Sequence, residues 1–140
     1  MGQAAPTWVF DVDGCLIDSL SGDSLRPGAS ELLTGLKAGG VRLLLWSAGG
    51  EEYAERRAAA HGIDAFFSGF YSKGSRDTDG HYRIDHLPLG DGVATFVDDQ
   101  PADLGATWPV IGVRPYLAAN RHDTGLAVVT ALLSNSDRHD

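Results

Sequence analysis

The sequence predicts an α/β fold: one domain with a central parallel sheet of about five strands and helices on both faces. Three observations carry that expectation. Short apolar, β-prone runs alternate with helical patterns, the signature of βα units. Three of the apolar runs end in polar residues, where an open α/β sheet places its ligand crevice: Asp11 and Asp13, then Ser47, then Asp98 and Asp99. The length, 140 residues, suits a single core.

Residues 7–10 read Thr-Trp-Val-Phe, a buried strand that delivers carboxylates at its end. Residues 18–28 are rich in turn formers and predict a loop or small flap. From 29 to 37, Leu32, Leu33 and Leu36 recur at helical spacing, and Gly39-Gly40 supplies the stop. Residues 41–46 form the second strand. Glu51 and Glu52 open a helix near its positive end, and it runs to His61 before Gly62. The sequence places a third strand at 66–71, and Asp79-Gly80 reads as a hairpin turn. A fourth strand covers 93–97 and a fifth 110–113. A last helix covers 124–133 behind an Asp123 cap. Residues 1–133 thus form the domain, and the polar residues 134–140 read as a flexible tail.

Composition narrows the function classes. Hydrophobic residues make up 43% and charged residues 21%, which excludes a largely disordered chain. Eleven basic against 19 acidic residues give a net charge of −8, so extended nucleic acid is disfavoured as a partner. Arg26, Arg76 and Arg83 are the residues that could still form a local basic rim. One cysteine forms no internal disulfide and no Cys-rich zinc site. No apolar run spans a bilayer, and the start of the chain has no signal-peptide pattern. These features predict a reduced, cytoplasmic protein with no membrane partner.

One aspartate after a strand is commonplace and serves as a cap or turn residue. Two carboxylates on one loop and two more after another strand repel each other unless a cation or proton is shared. Such an oxygen set suits Mg²⁺ better than zinc. Other patterns fail on spacing. Asp77, Asp79 and Gly80 do not continue as a calcium loop, because His86 stands at the bidentate acid position. Ser47 is not in a nucleophile elbow, because Leu45 holds the first glycine position. The five histidines show no ligand spacing. Cys15, Trp8 and Trp46 read as core side chains.

Phe10-Asp11-Val12-Asp13-Gly14-Cys15-Leu16 resembles the first motif of the haloacid dehalogenase (HAD) superfamily of phosphatases. Leu43-Leu44-Leu45-Trp46-Ser47 resembles its second motif, and Phe96-Val97-Asp98-Asp99 its fourth. Lys73 lies between them, where that superfamily keeps its basic residue. The resemblance covers residues 7–113, and the ordered set is more specific than any one motif. Cys15 stands where Thr or Val is usual. The segment after Lys73 shows no helix, which leaves Arg76 as an alternative basic residue.

The resemblance implies a Rossmann-like three-layer sandwich and a Mg²⁺-dependent phosphomonoester hydrolase working through an aspartyl-phosphate. Asp11 is then the nucleophile and Asp13 the acid and base. Ser47, Ala48 and Lys73 hold the substrate phosphate, and Asp11, Asp98 and the backbone carbonyl of Asp13 hold the metal. Asp99 or Asp103 supports the metal's water or Lys73. Asp13 points to phosphate chemistry rather than dehalogenation. A phosphotransferase, or a weakly catalytic binding or regulatory module of the same fold, remains an alternative. The gaps after the first and second motifs are too short for a lid domain, so the site is expected to be capless. An open site needs its cover from a large substrate or from a neighbouring subunit of a homo-oligomer.

Overall fold

The computed structural model describes residues 5–90, 94–105 and 108–137. Five strands make one fully parallel sheet: β1 (Thr7–Asp11), β2 (Arg42–Ser47), β3 (Gly69–Ser72), β4 (Ala94–Asp98) and β5 (Val110–Gly112). Their order across the sheet is β3-β2-β1-β4-β5. From β1 the chain builds outward to β2 and β3, then crosses back to lay β4 on the other side of β1. The boundary between β1 and β4 is therefore the switch point at which open α/β sheets form a crevice.

Register aligns the strand ends. Asp11 pairs with Trp46, Phe10 with Val97, and Ser47 with Ser72. Asp11, Ser47, Lys73 and Asp98 consequently emerge at one edge of the sheet, although they are far apart in sequence. The backbone N–H of Lys73 donates to the Ser47 carbonyl at 2.9 Å, which holds the end of β3 against β2.

Alternation along the strands splits the core. Trp8, Phe10, Leu43, Leu45 and Val97 face one side, where three helices cover them: α1 (Ala29–Ala38), α2 (Glu51–Ala60) and α3 (Gly125–Asp137). Leu32, Leu33 and Leu36 of α1 are buried there, each worth about 2 kcal/mol of apolar transfer. Helix α2 buries only Ala54 and Ala58, so it lies close to the sheet. Asp123 accepts the Gly125 N–H at 2.9 Å at the start of α3, as the sequence predicts.

Val9, Leu44, Trp46, Ala94 and Phe96 face the other side. The fold class is the one expected, but its layers differ in one respect. Among the described residues no α-helix covers this second face; Tyr82, Ile84, Leu87, Leu89, Leu104 and Trp108 close it instead. The connection from β3 to β4 contains Gly74, Gly80, Pro88 and Gly90 and no helical period, so irregular chain does the work of a helix.

Two boundaries move by more than one residue. The third strand begins at Gly69, because Asp64–Phe66 forms a 3-10 turn. Helix α3 runs to Asp137, so residues 134–137 continue the helix rather than a tail. The predicted start of the fourth strand, Val93, lies outside the described residues, as do residues 138–140. No described helix is long and apolar enough to cross a membrane.

Candidate active site

Strand β1 carries Asp11 to the crevice with only 6% of its surface exposed, and β4 carries Asp98 with 1%. The ammonium of Lys73 sits between them, 3.1 Å from Asp11 Oδ1 and 3.0 Å from Asp98 Oδ2. Lys73 thus reaches from the end of β3 across β2 to two strands beyond. Below it lie the rings of Trp46 and Tyr82, whose centroids are 5.3 and 5.1 Å from Nζ. An aromatic floor of this kind favours the cation and restricts its motion.

Asp99 completes the group: Asp11, Asp98 and Asp99 each place a carboxylate oxygen within 4.8 Å of the others. Gly14 makes this possible. Its φ of +78° belongs to the left-handed region, and a Cβ there would run into the Asp99 carboxylate.

The charges do not balance. Burial raises the Asp11 carboxyl well above the ordinary range; Lys73 pulls it down, and Asp98 and Asp99 push it up further. Asp98 is raised by burial, against the lowering effects of Lys73 and the Gln100 N–H. Burial works against the Lys73 ammonium, yet Asp11 and Asp98 outweigh it and hold its pKa above the usual lysine value. Three carboxylates around one ammonium leave two negative charges, which is the deficit that a divalent cation with a preference for oxygen ligands fills. The donor set therefore fits Mg²⁺.

Ser47 is buried, and its hydroxyl oxygen accepts the Gly49 N–H at 3.0 Å. Its own proton remains available to donate. Ala48 is exposed in the turn that follows β2. Asp13 stands half-buried on the loop after β1, and the phenol of Tyr53 donates to its Oδ1 at 2.7 Å. Burial and that bond to Asp13 raise the Tyr53 phenol, so it stays protonated at neutral pH.

The structure brings Asp11, Lys73, Asp98 and Asp99 together, with Ser47 next to them at the end of β2. It does not bring in Asp103 or Arg76. These two pair with each other at 3.2 Å, Arg76 from the exposed 76–82 hairpin and Asp103 from the 3-10 turn after β4, and the Arg76 guanidinium also stacks 4.0 Å over Tyr82. Arg26 is no part of a basic rim. It is buried, bonded to Asp123 at 2.7 Å and to the carbonyls of Cys15 and Arg114. Asp77 is a turn residue, its Oδ1 accepting the N–H groups of Asp79 and His81. Tyr53 and Tyr82 escape the sequence reading; the one available signal was that Tyr53 lies in the first turn of a helix starting behind Ser47.

No protein-family model and no curated protein sequence matches the chain. Solved structures match it over nearly its whole length. An uncharacterized protein from Listeria monocytogenes is 18% identical with a TM-score of 0.63, over 94% of this chain and 98% of that one. The core domain of a Streptococcus pneumoniae protein, provisionally described as a phosphoglycolate phosphatase, is 15% identical with a TM-score of 0.53, over 94% and 97%. The chain shares the fold of these solved structures. Fcp1, an essential RNA polymerase II CTD phosphatase, shares it at 14% identity and a TM-score of 0.59, over 95% of this chain and 50% of that one. At these identities the likeness concerns the fold, and the chemistry rests on the residues.

Proposed function

We propose that the chain is a Mg²⁺-dependent phosphomonoester hydrolase that turns over through an aspartyl-phosphate on Asp11. The observation that carries this reading is the Lys73 ammonium held 3.1 Å from Asp11 and 3.0 Å from Asp98, beside a third carboxylate. A lysine that only neutralised a buried aspartate would need one partner and no excess of negative charge. The phosphatase names of two fold neighbours support the same reading.

Asp11 attacks phosphorus, forming the bond from its carboxylate oxygen as the bond to the leaving oxygen breaks. Asp13 gives its proton to that oxygen and later takes one from the water that attacks the acyl phosphate. The Ser47 hydroxyl, and the backbone of Ala48 next to it, bind phosphoryl oxygens, and Lys73 balances the charge on the transferring group. Asp11, Asp98 and the Asp13 carbonyl, with Asp99 alongside, would hold the metal, which supplies positive charge where two anions must meet. Residues 12–28 and the α2 region span the crevice edge without a second domain among the described residues. The site is read as open, with a large substrate or neighbouring subunit as its cover.

The test is hydrolysis of p-nitrophenyl phosphate. Wild-type protein should release phosphate with Mg²⁺ and stop with chelator, and Asp11→Asn should fall to background. Unchanged turnover by Asp11→Asn would contradict the proposal.

A further inference from the structure

We infer that Tyr53 is a positioning residue for the Asp13 carboxyl, and that it matters most for esters whose leaving oxygen needs a proton to depart. The inference rests on the phosphatase reading above and adds to it a residue that neither the motifs nor the fold neighbours mark.

The geometry is specific. Tyr53 is the third residue of α2, which starts behind the Ser47 turn. Its hydroxyl reaches across to Asp13 Oδ1 at 2.7 Å. The ring is clamped on two sides. A Cβ on Gly49 would come within 2.8 Å of the ring, so only glycine leaves room for it there. On another side the Arg57 guanidinium lies 5.2 Å from the ring centroid. Arg57 is itself tied to the loop before α1, donating to the Gly22 carbonyl at 3.2 Å, and His61 Nε2 lies 2.8 Å from the same oxygen. A phenol fixed in this way is more than a surface tyrosine making a chance contact.

Fixing Oδ1 has a chemical consequence. Asp13 is half-buried on the loop two residues beyond the strand, where an aspartate held by no partner has more than one staggered rotamer open to it. With Oδ1 committed to the phenol, no other described side chain competes for Oδ2. That oxygen is left to carry the proton toward the leaving group. A nitrophenolate departs as an anion and hardly uses this proton. An alkoxide leaves only with it, so loss of aim at Asp13 shows on alkyl esters first.

The experiment compares kcat/KM for p-nitrophenyl phosphate and p-nitrobenzyl phosphate, two esters of similar shape whose leaving oxygens differ in basicity. Tyr53→Phe keeps the ring and its stacking against the Arg57 guanidinium and removes the hydroxyl. Its kcat/KM should fall about tenfold more on the benzyl ester than on the phenyl ester, about 1.4 kcal/mol, with an unchanged melting temperature. Asp13→Asn should show the same bias more strongly, and adding Tyr53→Phe to it should cost nothing further. Equal losses on both esters, or none, would overturn the role of Tyr53 while leaving the phosphatase reading intact. Wild-type protein that hydrolyses neither ester would overturn both.

Discussion

Removing the charge of Lys73 isolates the interaction on which the site depends. Lys73→Met keeps a chain of similar volume over Trp46 and Tyr82 but deletes the ammonium between Asp11 and Asp98. Lys73 is only 5% exposed, so water does little to replace the lost charge. Breaking a buried ion pair by removing one partner costs about 3–5 kcal/mol. For a domain of this size that is a fall in Tm of roughly 10–17 °C. The pH dependence follows from the same charges. Asp11 and Asp98 already titrate above the ordinary range in the folded protein, and without Lys73 they rise further. An acid whose folded pKa exceeds its unfolded value stabilises the fold at low pH. That contribution is lost as pH rises from about 4 through the folded values. The deficit of the variant should therefore be larger at pH 8 than at pH 5. Thermal melts in chelator at both pH values measure it, and saturating Mg²⁺ should recover part of the loss because the ion binds only the folded form. A variant that melts within 2 °C of wild type at pH 8, or whose deficit shrinks as pH rises, would refute the argument.

Asp18 accepts hydrogen bonds from the Ser21 N–H, the Ser21 hydroxyl and the Ser24 N–H, each within 2.8 Å, and its pKa is lowered to about 2. Its contribution is complete above about pH 4 and lost as pH falls toward 2; Asp18→Ala should cost about 2 kcal/mol at pH 7 and leave a flatter acid limb in urea titrations. Gly14→Ala forces a side chain into a φ of +78° and against Asp99. It should lose about 2 kcal/mol of stability and weaken Mg²⁺ binding, read by calorimetry, whereas Gly35→Ala, which meets no neighbour, should do neither.

Much of the sheet was legible because each strand is an apolar run ended by a polar residue. The β1, β2 and β4 segments could be read from Phe10-Asp11, Trp46-Ser47 and Val97-Asp98 alone. The start of β3 was not, because Phe66, Phe67 and Phe70 look alike to a hydrophobicity pattern. Phe67 is buried from the end of a 3-10 turn and Phe70 packs from a strand, and apolarity does not separate the two. The second face was missed for a related reason. Ile84, Leu87 and Leu89 follow no helical or strand period, so nothing in the sequence says that they close a sheet. Within the site, spacing placed Asp11, Ser47 and Asp98 at strand ends, and the family resemblance pointed to Lys73. Spacing could not choose Asp99 over Asp103, which are four residues apart beyond the same strand, nor Lys73 over Arg76. Those choices belong to side-chain direction: Asp99 faces Gly14, whereas Asp103 turns to the hairpin and occupies Arg76.

The claim at the centre is that Asp11 takes the phosphoryl group. Rapid quenching of a turnover with Mg²⁺ and p-nitrophenyl phosphate, followed by borohydride reduction, converts an aspartyl-phosphate to homoserine. Peptide mass spectrometry should find homoserine at position 11, dependent on both substrate and Mg²⁺. Steady phosphate release with aspartate intact at position 11, or with homoserine at position 13, 98 or 99, would contradict it.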